Sequence, residues 1–407
     1  MTKTKTKFKH TEIGWIPEDW EIKKIKDIGK IITGGTPSTK NKNYWNGEYI
    51  WVTPTDISNK KIIYQTERNI SKKAIELLGE LPVGTVLVTC IASIGKNAIL
   101  GKIGACNQQI NAIIPNSNYD SEFLYYLFEN SKSYLQGFSS ITATSIISKS
   151  LFEKIRFQFP PLHEQQAIAE VLSDIDTLID KMDKLIQKKI NIKNATMHLL
   201  LSGKKRLPGF KGDWVKRKLG MICKKIDTGK LDANAMNPDG IYPFFTCAKE
   251  HFYIDFYSFD TEAILISGNG ENVGYVHYYK GKFNAYQRTY VLHEFEENIF
   301  YIKYYLEKYL KERIKIEVKA GNTPYIVKDT LKEMEIFFPS NKSEQQAIAQ
   351  VLSDMDKEID ALQKRKNKLT HIKQSAMHLL LTGKVRLIHP SQNSTKTKQV
   401  SQNTTNA

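Results

Sequence analysis

The chain has 407 residues, 41% hydrophobic and 25% charged, with 59 Lys and Arg against 43 Asp and Glu, a net charge of +16. That length allows two or three domains with their own cores, and the basic excess favours a polyanion partner, nucleic acid above all. No apolar run approaches the roughly 18 residues of a membrane span, and Cys90, Cys106, Cys223 and Cys247 lack the CxxC spacing of a zinc site or a disulfide framework.

Residues 1–14 are polar, carry no apolar core of a signal peptide and are expected to be disordered. A cytoplasmic protein is therefore expected. A first module spans 15–161, with strands expected at Tyr49 to Val52 and Thr85 to Thr89 and an aromatic-rich helix at Asp120 to Tyr134. A long helix is expected over 162–203. There Ile168, Val171, Ile175, Leu178, Met182 and Leu185 step by three and four, the seam of a coiled coil. About 38 residues at 1.5 Å each give a rod of roughly 57 Å, with Gly203 as its stop. Residues 204–211 form a short basic turn. The second module spans 212–339, with strands expected at Ala263 to Ser267 and Tyr286 to Leu292. A second long helix occupies 340–387, its seam running through Ile348, Val351, Met355, Ile359 and Leu362 to a stop at Gly383. The tail, 388–407, is rich in Ser, Thr, Asn and Gln and is expected to be unstructured.

The two helices are copies. Glu164–Leu207 and Glu344–Leu387 align at an offset of 180 without a gap, and 26 of 44 positions are identical. The chain is thus a tandem duplication of two units. Within the modules the anchors are sparser. Asp19-Trp20 matches Asp213-Trp214, and Gly47, Tyr49 and Thr53 match Gly240, Tyr242 and Thr246 at an offset of 193. Gly95, Gln108, Tyr125-Tyr126-Leu127, Thr144, Lys149 and Pro160 match Gly274, Gln287, Tyr304-Tyr305-Leu306, Thr323, Lys328 and Pro339 at 179. The change of offset places about fourteen extra residues between Thr53 and Gly95 of the first module. Lys189, Glu358 and Arg365 interrupt the apolar seams, which disfavours a homotypic filament and favours pairing of the two copies within one chain.

These pieces in this order resemble the specificity (S) subunit of type I restriction–modification systems, over nearly the whole chain. The resemblance is carried by Gly14-Trp15-Ile16-Pro17 with Asp19-Trp20, by Gly34-Gly35-Thr36-Pro37-Ser38, and by Pro160-Pro161-Leu162-His163-Glu164-Gln165-Gln166. The second copy departs, with Pro339-Ser340-Asn341-Lys342-Ser343 before Glu344-Gln345-Gln346, and Asp227-Thr228-Gly229-Lys230 in place of the Gly-Gly-Thr-Pro-Ser run. The resemblance implies an α+β fold of two target-recognition domains separated by two long helices. The helices form an intramolecular antiparallel coiled coil, giving a pseudo-two-fold tandem repeat. It further implies that each domain reads one half of a bipartite, asymmetric site in double-stranded DNA. The helices set the spacing and dock two adenine-N6 methyltransferase (M) subunits, and two restriction (R) subunits complete the complex. The chain itself is then non-catalytic and binds no cofactor; S-adenosylmethionine, ATP and Mg2+ belong to the partners.

The residues themselves offer no catalytic set. His163-Glu164-Gln165-Gln166 begins like HExxH but ends at Ala167, and Gly268-Asn269-Gly270-Glu271-Asn272-Val273-Gly274 misses the dinucleotide spacing and reads as a turn. Gly95 to Lys102 lacks the P-loop pattern. His198 and His378 recur in Met-His-Leu-Leu-Leu without a ligand set, which suits helix packing or a partner contact. Phosphate and base contacts come from Lys, Arg, Ser, Thr, Asn and Gln. In the first module Thr36, Ser38, Thr39, Lys40, Asn41, Lys42, Asn43 and Tyr44 supply them on a flexible loop, with Lys96; a merely solvated loop is the competing reading. In the second the candidates are Lys230, Asn234, Asn269, Asn272, Arg288 and Asn322. Gln108/Gln287 and Thr144/Thr323, common to both modules, are expected to be structural or backbone-contacting. Asp174, Asp176, Asp180, Asp354, Asp356 and Asp360 would repel phosphate and are expected to face solvent or a protein partner. Two other classes stay open: an autonomous DNA-modifying enzyme, and a coiled-coil scaffold without nucleic acid.

Overall fold

The structure, a computed structural model, describes residues 7–58, 60–139, 145–317 and 325–387. The fold is α+β, built as two compact units. One comprises Met1–Lys181 with Lys366–Ala407, the other Met182–Arg365. Each unit holds one module, the first half of one long helix and the second half of the other. The helices run Leu162–Leu201 and Lys342–Leu381, 40 residues each and about 60 Å by helical rise. Both end as the glycines predict: Gly203 and Gly383 take φ of 70° and 69°, and the turned backbone lets Lys205 and Val385 donate to the carbonyls of Leu199 and Leu379. No helix among the described residues is long and apolar enough to cross a membrane.

In unit one, a five-stranded sheet has the order Gly29–Thr33, Ile110–Pro115, Val86–Thr89, Asn97–Leu100, Ile62–Ile63. A three-stranded sheet joins Gly104–Cys106, Trp45–Val52 and Asn69–Ile70. Asp120 caps the aromatic helix Ser121–Asn130 by accepting from the Phe123 amide at 2.8 Å. The helix breaks at Ser131, so the expected single run to Tyr134 is two helices, the second Lys132–Gln136. Phe123, Tyr126 and Phe128 are buried with Phe152, Phe157 and Phe159, and Ile168 and Leu172 of the long helix complete the core. Residues Phe8–Thr11, expected to be disordered, instead pair as a strand with Gly14–Pro17, and Glu12 takes an ion pair from Arg156 at 2.8 Å. Alternation was too short there to register as a strand. The tail 388–407 lies outside the described residues.

Unit two repeats the frame. Its six-stranded sheet runs Cys223–Thr228, Thr289–Phe295, Phe259–Ser267, Val276–Ala285, Tyr242–Phe245, Phe252–Ile254. Ala285 pairs in parallel with Phe245 as Cys106 does with Val52, which reproduces the offsets of 179 and 193. The strand Asn69–Ile70 pairs with Trp45–Val52 as Phe252–Ile254 does with Tyr242–Phe245, so the extra residues of module one lie on either side of it and include the helix Lys72–Leu78, which packs beneath Tyr44, Trp45 and Tyr49. One anchor shifts. Asn298 caps Ile299–Glu317 as Asp120 caps its helix, and Tyr304, not Tyr305, takes the place of Tyr126.

The repeated Glu-Gln-Gln is explained by burial. Glu164 and Glu344 are fully buried, each clamped by the arginine that closes the other copy within the same unit: Arg386 Nε on Glu164 at 2.7 Å, Arg206 Nε on Glu344 at 2.9 Å. Gln165 accepts from the Asp120 amide and donates to the Pro160 carbonyl; Gln345 does the same with Asn298 and Pro339. The two clasps differ. Arg386 also forks onto Asp19, and the Trp20 indole donates to Glu164 at 3.1 Å. In unit two Arg206 reaches the Gly212 carbonyl instead, and the buried Trp214 Nε1 has no partner among the described residues. Arg386 beside it holds the Asp19 carboxyl below its ordinary 3.8. Its contribution is therefore complete above pH 3.8 and is lost as the pH falls through the lowered value. Asp19→Asn is expected to destabilise unit one modestly at neutral pH, Asp19 being half exposed, and the gap from the wild type should close as acid is added; urea melts at pH 7 and below pH 4 check this.

Two expectations about the helices need correction. In each unit the helices run antiparallel, but the first one turns Leu172, Ile179, Ile186 and Met197 inward beside Ile168, Ile175 and Met182; Val171, Leu178 and Leu185 are exposed. In the second helix Ile348 is buried and Val351, Met355, Ile359 and Leu362 are half-buried, as the seam predicts. The aspartates, too, are not all outward. Asp176 accepts from the Tyr126 hydroxyl at 2.7 Å and pairs with Lys373 at 2.5 Å, and Asp356 accepts from Tyr304 at 2.8 Å and pairs with Lys193. The interruptions Lys189 and Glu358 pair with each other at 2.6 Å. His198 and His378 are exposed, so the recurrent Met-His-Leu-Leu-Leu packs through its apolar members.

Candidate nucleic-acid interface

Three segments meet at one edge of each module. In module one they are the loop 34–44, the turn 107–109 and the hairpin turn 90–96. The Gly35 amide donates to the Cys106 carbonyl, Thr36 Oγ1 to Gln108 Oε1 at 2.6 Å, and the Cys90 amide to the Gln109 carbonyl at 2.8 Å. Gly34 is required for this approach, since a Cβ there would meet the Cys106 oxygen at 2.2 Å. The loop is not the flexible segment its composition suggested. Indole Nε1 of Trp51 donates to the Gly35 carbonyl at 3.0 Å, that of Trp45 to the Ser38 carbonyl at 3.2 Å, and Asn41 Oδ1 accepts from the Asn43 amide. Ser71, at the start of the helix carried by the extra residues, donates to the Asn43 carbonyl at 2.6 Å. Thr36, Ser38, Thr39, Lys40, Lys42 and Asn43 are exposed on this held backbone, Asn41 and Tyr44 half-buried, and 34–47 contains no carboxylate. Lys96 is exposed at the end of the neighbouring hairpin turn.

Module two builds the same edge from other residues. Gly229 stands where Gly34 does, a Cβ there meeting the Ala285 oxygen at 1.8 Å, and Gln287 donates to Asp232 at 2.8 Å as Gln108 accepts from Thr36. The repeated glutamine thus holds the loop after the first sheet strand, which is why both modules keep it. The Gly268 amide donates to the Arg288 carbonyl at 2.8 Å, and Cys247 Sγ donates to Asn269 Oδ1 at 3.1 Å while its carbonyl accepts from Asn272. Asn269, Asn272 and Arg288 are therefore brought together. Lys230 lines a cavity of about 640 Å³ with Asp227, Tyr290 and Lys328, and Asn234 is exposed in the turn Ala233–Ala235. Asn322, Thr144 and Thr323 lie outside the described residues.

The chemistry available at these edges is hydrogen bonding and charge. Burial pushes the Cys90, Cys106 and Cys223 thiols up to about 12, far from the thiolate a nucleophile needs. Among the described residues no group of three or more His, Cys, Asp and Glu could hold a metal ion. Sequence reasoning missed Arg68. Its guanidinium lies 3.6 Å from the centre of the Trp45 ring and 5.6 Å from that of Trp51. Only the spacing of the two tryptophans hinted at it, because the stack joins residues about twenty positions apart.

Comparison with known proteins places this frame. A family profile described as "Type I restriction modification DNA specificity domain" matches residues 17–193 and again 211–371. The MjaIX type I restriction enzyme specificity subunit of Methanocaldococcus jannaschii is 42% identical over 192 residues, 45% of this chain and 44% of that protein. The EcoDI specificity subunit of Escherichia coli is 36% identical over 42% of this chain and 37% of its own length. The chain thus spans less than half the length of these two relatives in the matched stretch. A putative MjaX specificity subunit of M. jannaschii is 29% identical over 93% of this chain and 97% of its own. Among solved structures, the type I S subunit from M. genitalium shares the fold with a TM-score of 0.60 at 18% identity, covering 92% of this chain and 98% of that one.

Proposed function

Because this chain belongs to the type I restriction–modification DNA specificity family, we propose that it is the DNA-reading subunit of such a complex, each module recognising one half of a split, asymmetric site in double-stranded DNA. The observation that carries the reading is the contrast within the repeat. The clasp, the glutamine and the close-approach glycine recur in both modules, whereas the loop they hold is Gly34–Tyr44 in one and an unrelated sequence after Gly229 in the other. A common frame carrying different loops is what two readers of different base sequences require.

The chain does no chemistry on this reading. Two adenine-N6 methyltransferase subunits dock along the helices, two restriction subunits complete the assembly, and S-adenosylmethionine, ATP and Mg2+ belong to those partners. Apolar side chains left outside the helix pairing support a protein partner: Val171, Leu178 and Ile372 in unit one, and Leu185, Ile192 and Leu199 in unit two. The test is a selection. Purified full-length chain, alone and with methyltransferase subunits, is incubated with a pool of random-sequence duplex DNA and the bound fraction sequenced. A motif of two short specific blocks separated by unspecified bases is expected. Methylation or cleavage by the chain alone would contradict the reading, and binding of methyltransferase subunits without any DNA preference would favour a scaffold.

A further inference from the structure

Arginine is scarce in this basic chain: eight residues, at 68, 156, 206, 217, 288, 313, 365 and 386, against a large excess of lysine. Five of the eight are committed to carboxylates. Arg156 pairs with Glu12, Arg206 with Glu344, Arg217 with Glu296 and Glu297, Arg313 with Glu317, and Arg386 with Glu164 and Asp19. Among the described residues Arg68, Arg288 and Arg365 have no carboxylate partner. Arg365 lies on the second long helix; the other two fall one in each module, both exposed and both beside the edge where the held loop sits.

Their positions do not correspond in the repeat. Arg288 stands where module one has Gln109, since its carbonyl accepts from the Gly268 amide as that of Gln109 does from Cys90. Arg68 stands where module two has Phe252, since Ile70 pairs with Tyr49 as Ile254 does with Tyr242. A residue serving the common frame would recur at the same place, as Gln108 and Gln287 do; one serving a half-site would not. Arg68 is also held rigid. Its guanidinium stacks on Trp45, which meets Trp51 edge-on at 5.2 Å, and both indoles fasten the loop 34–44. Stacking uses the face of the guanidinium and leaves its in-plane N–H donors free. A planar fork fixed by an aromatic platform matches a paired acceptor such as O6 and N7 of guanine, while Lys40 and Lys42 on the same loop suit phosphate as point charges.

We propose that Arg68 is a specificity-determining residue of module one, donating its fork to a guanine of that module's half-site. The proposal rests on the DNA-reading function above. Its test uses the same selection on full-length wild-type, Arg68→Lys and Arg288→Lys chains, with thermal melts to confirm folding. Lysine keeps the charge and removes the fork. In the wild-type motif one guanine of one block should lose about ten-fold or more of its discrimination in Arg68→Lys, with the other block unchanged. Arg288→Lys should leave that block intact. A uniform loss of affinity with the motif unaltered would make Arg68 a phosphate contact and overturn the proposal, as would an unchanged motif. A wild-type chain that selects no split motif would instead defeat the DNA-reading function itself.

Discussion

Arg386→Ala is expected to cost unit one about 3–5 kcal/mol, because it strips the cation from a carboxylate that has no access to water. Glu164 is fully buried and Arg386 only 10% exposed at the side chain, so solvent offers little screening. After the substitution Glu164 keeps one donor, the Trp20 indole, for a charge that now faces the core. The clasp joins the segment after the second helix to the start of module one, so loss of protection in hydrogen exchange should centre on Ile16–Trp20 and Glu164–Leu172 and spare 182–365. A melting temperature lower by roughly 10 °C would match a loss of that size in a unit of about 200 residues. Glu164→Leu combined with Arg386→Met should recover most of it, since an apolar pair of similar volume removes the buried charge together with its partner. A change in Arg386→Ala below about 1 kcal/mol would mean that the carboxylate is not held as a buried ion, and the role assigned to the recurring Glu and Arg would fall.

The duplication was legible because its members are bound to one another. Glu164 needs Arg386 and Glu344 needs Arg206, so neither partner can drift alone, and both helices keep the ends that form the clasps. The phase of the first helix was not legible. Val171-Leu172, Leu178-Ile179 and Leu185-Ile186 are adjacent apolar pairs, and either member gives a seam stepping by seven. The choice is made by the module, which seats Tyr126 on Asp176 and thereby turns Leu172 and Ile179 inward. Tyr125-Tyr126 and Tyr304-Tyr305 posed the same ambiguity, resolved by which hydroxyl reaches the aspartate. At the edge of module one the loop was visible from its Gly, Ser, Thr and Lys content. Its rigidity was not, since Trp45, Trp51, Arg68 and Ser71 hold it from beyond the segment that defined it.

Exchanging module one for that of a relative with a different specificity should replace one block of the recognised motif and leave the other block and the gap unchanged. An exchange of residues 15–157 would divide the strand Arg156–Phe159 and remove Trp20 and Asp19 from their clasp. Residues 25–155 are the better unit. They retain the pairing of Glu21–Lys24 with Arg156–Phe159, the Arg386–Glu164 clasp and the Gln165 contact to the Pro160 carbonyl. The incoming module must still bring a hydroxyl to Asp176 in the place of Tyr126 and an amide to Gln165 in that of Asp120. With those met, the helices and module two are untouched, and the block and the gap they set should persist. Sequencing of methylated bases in cells that express the chimaera with its methyltransferase partners reads all three quantities at once. If both blocks change, the modules do not read independently; if neither changes while methylation persists, the edge built around loop 34–44 is not where module one meets DNA.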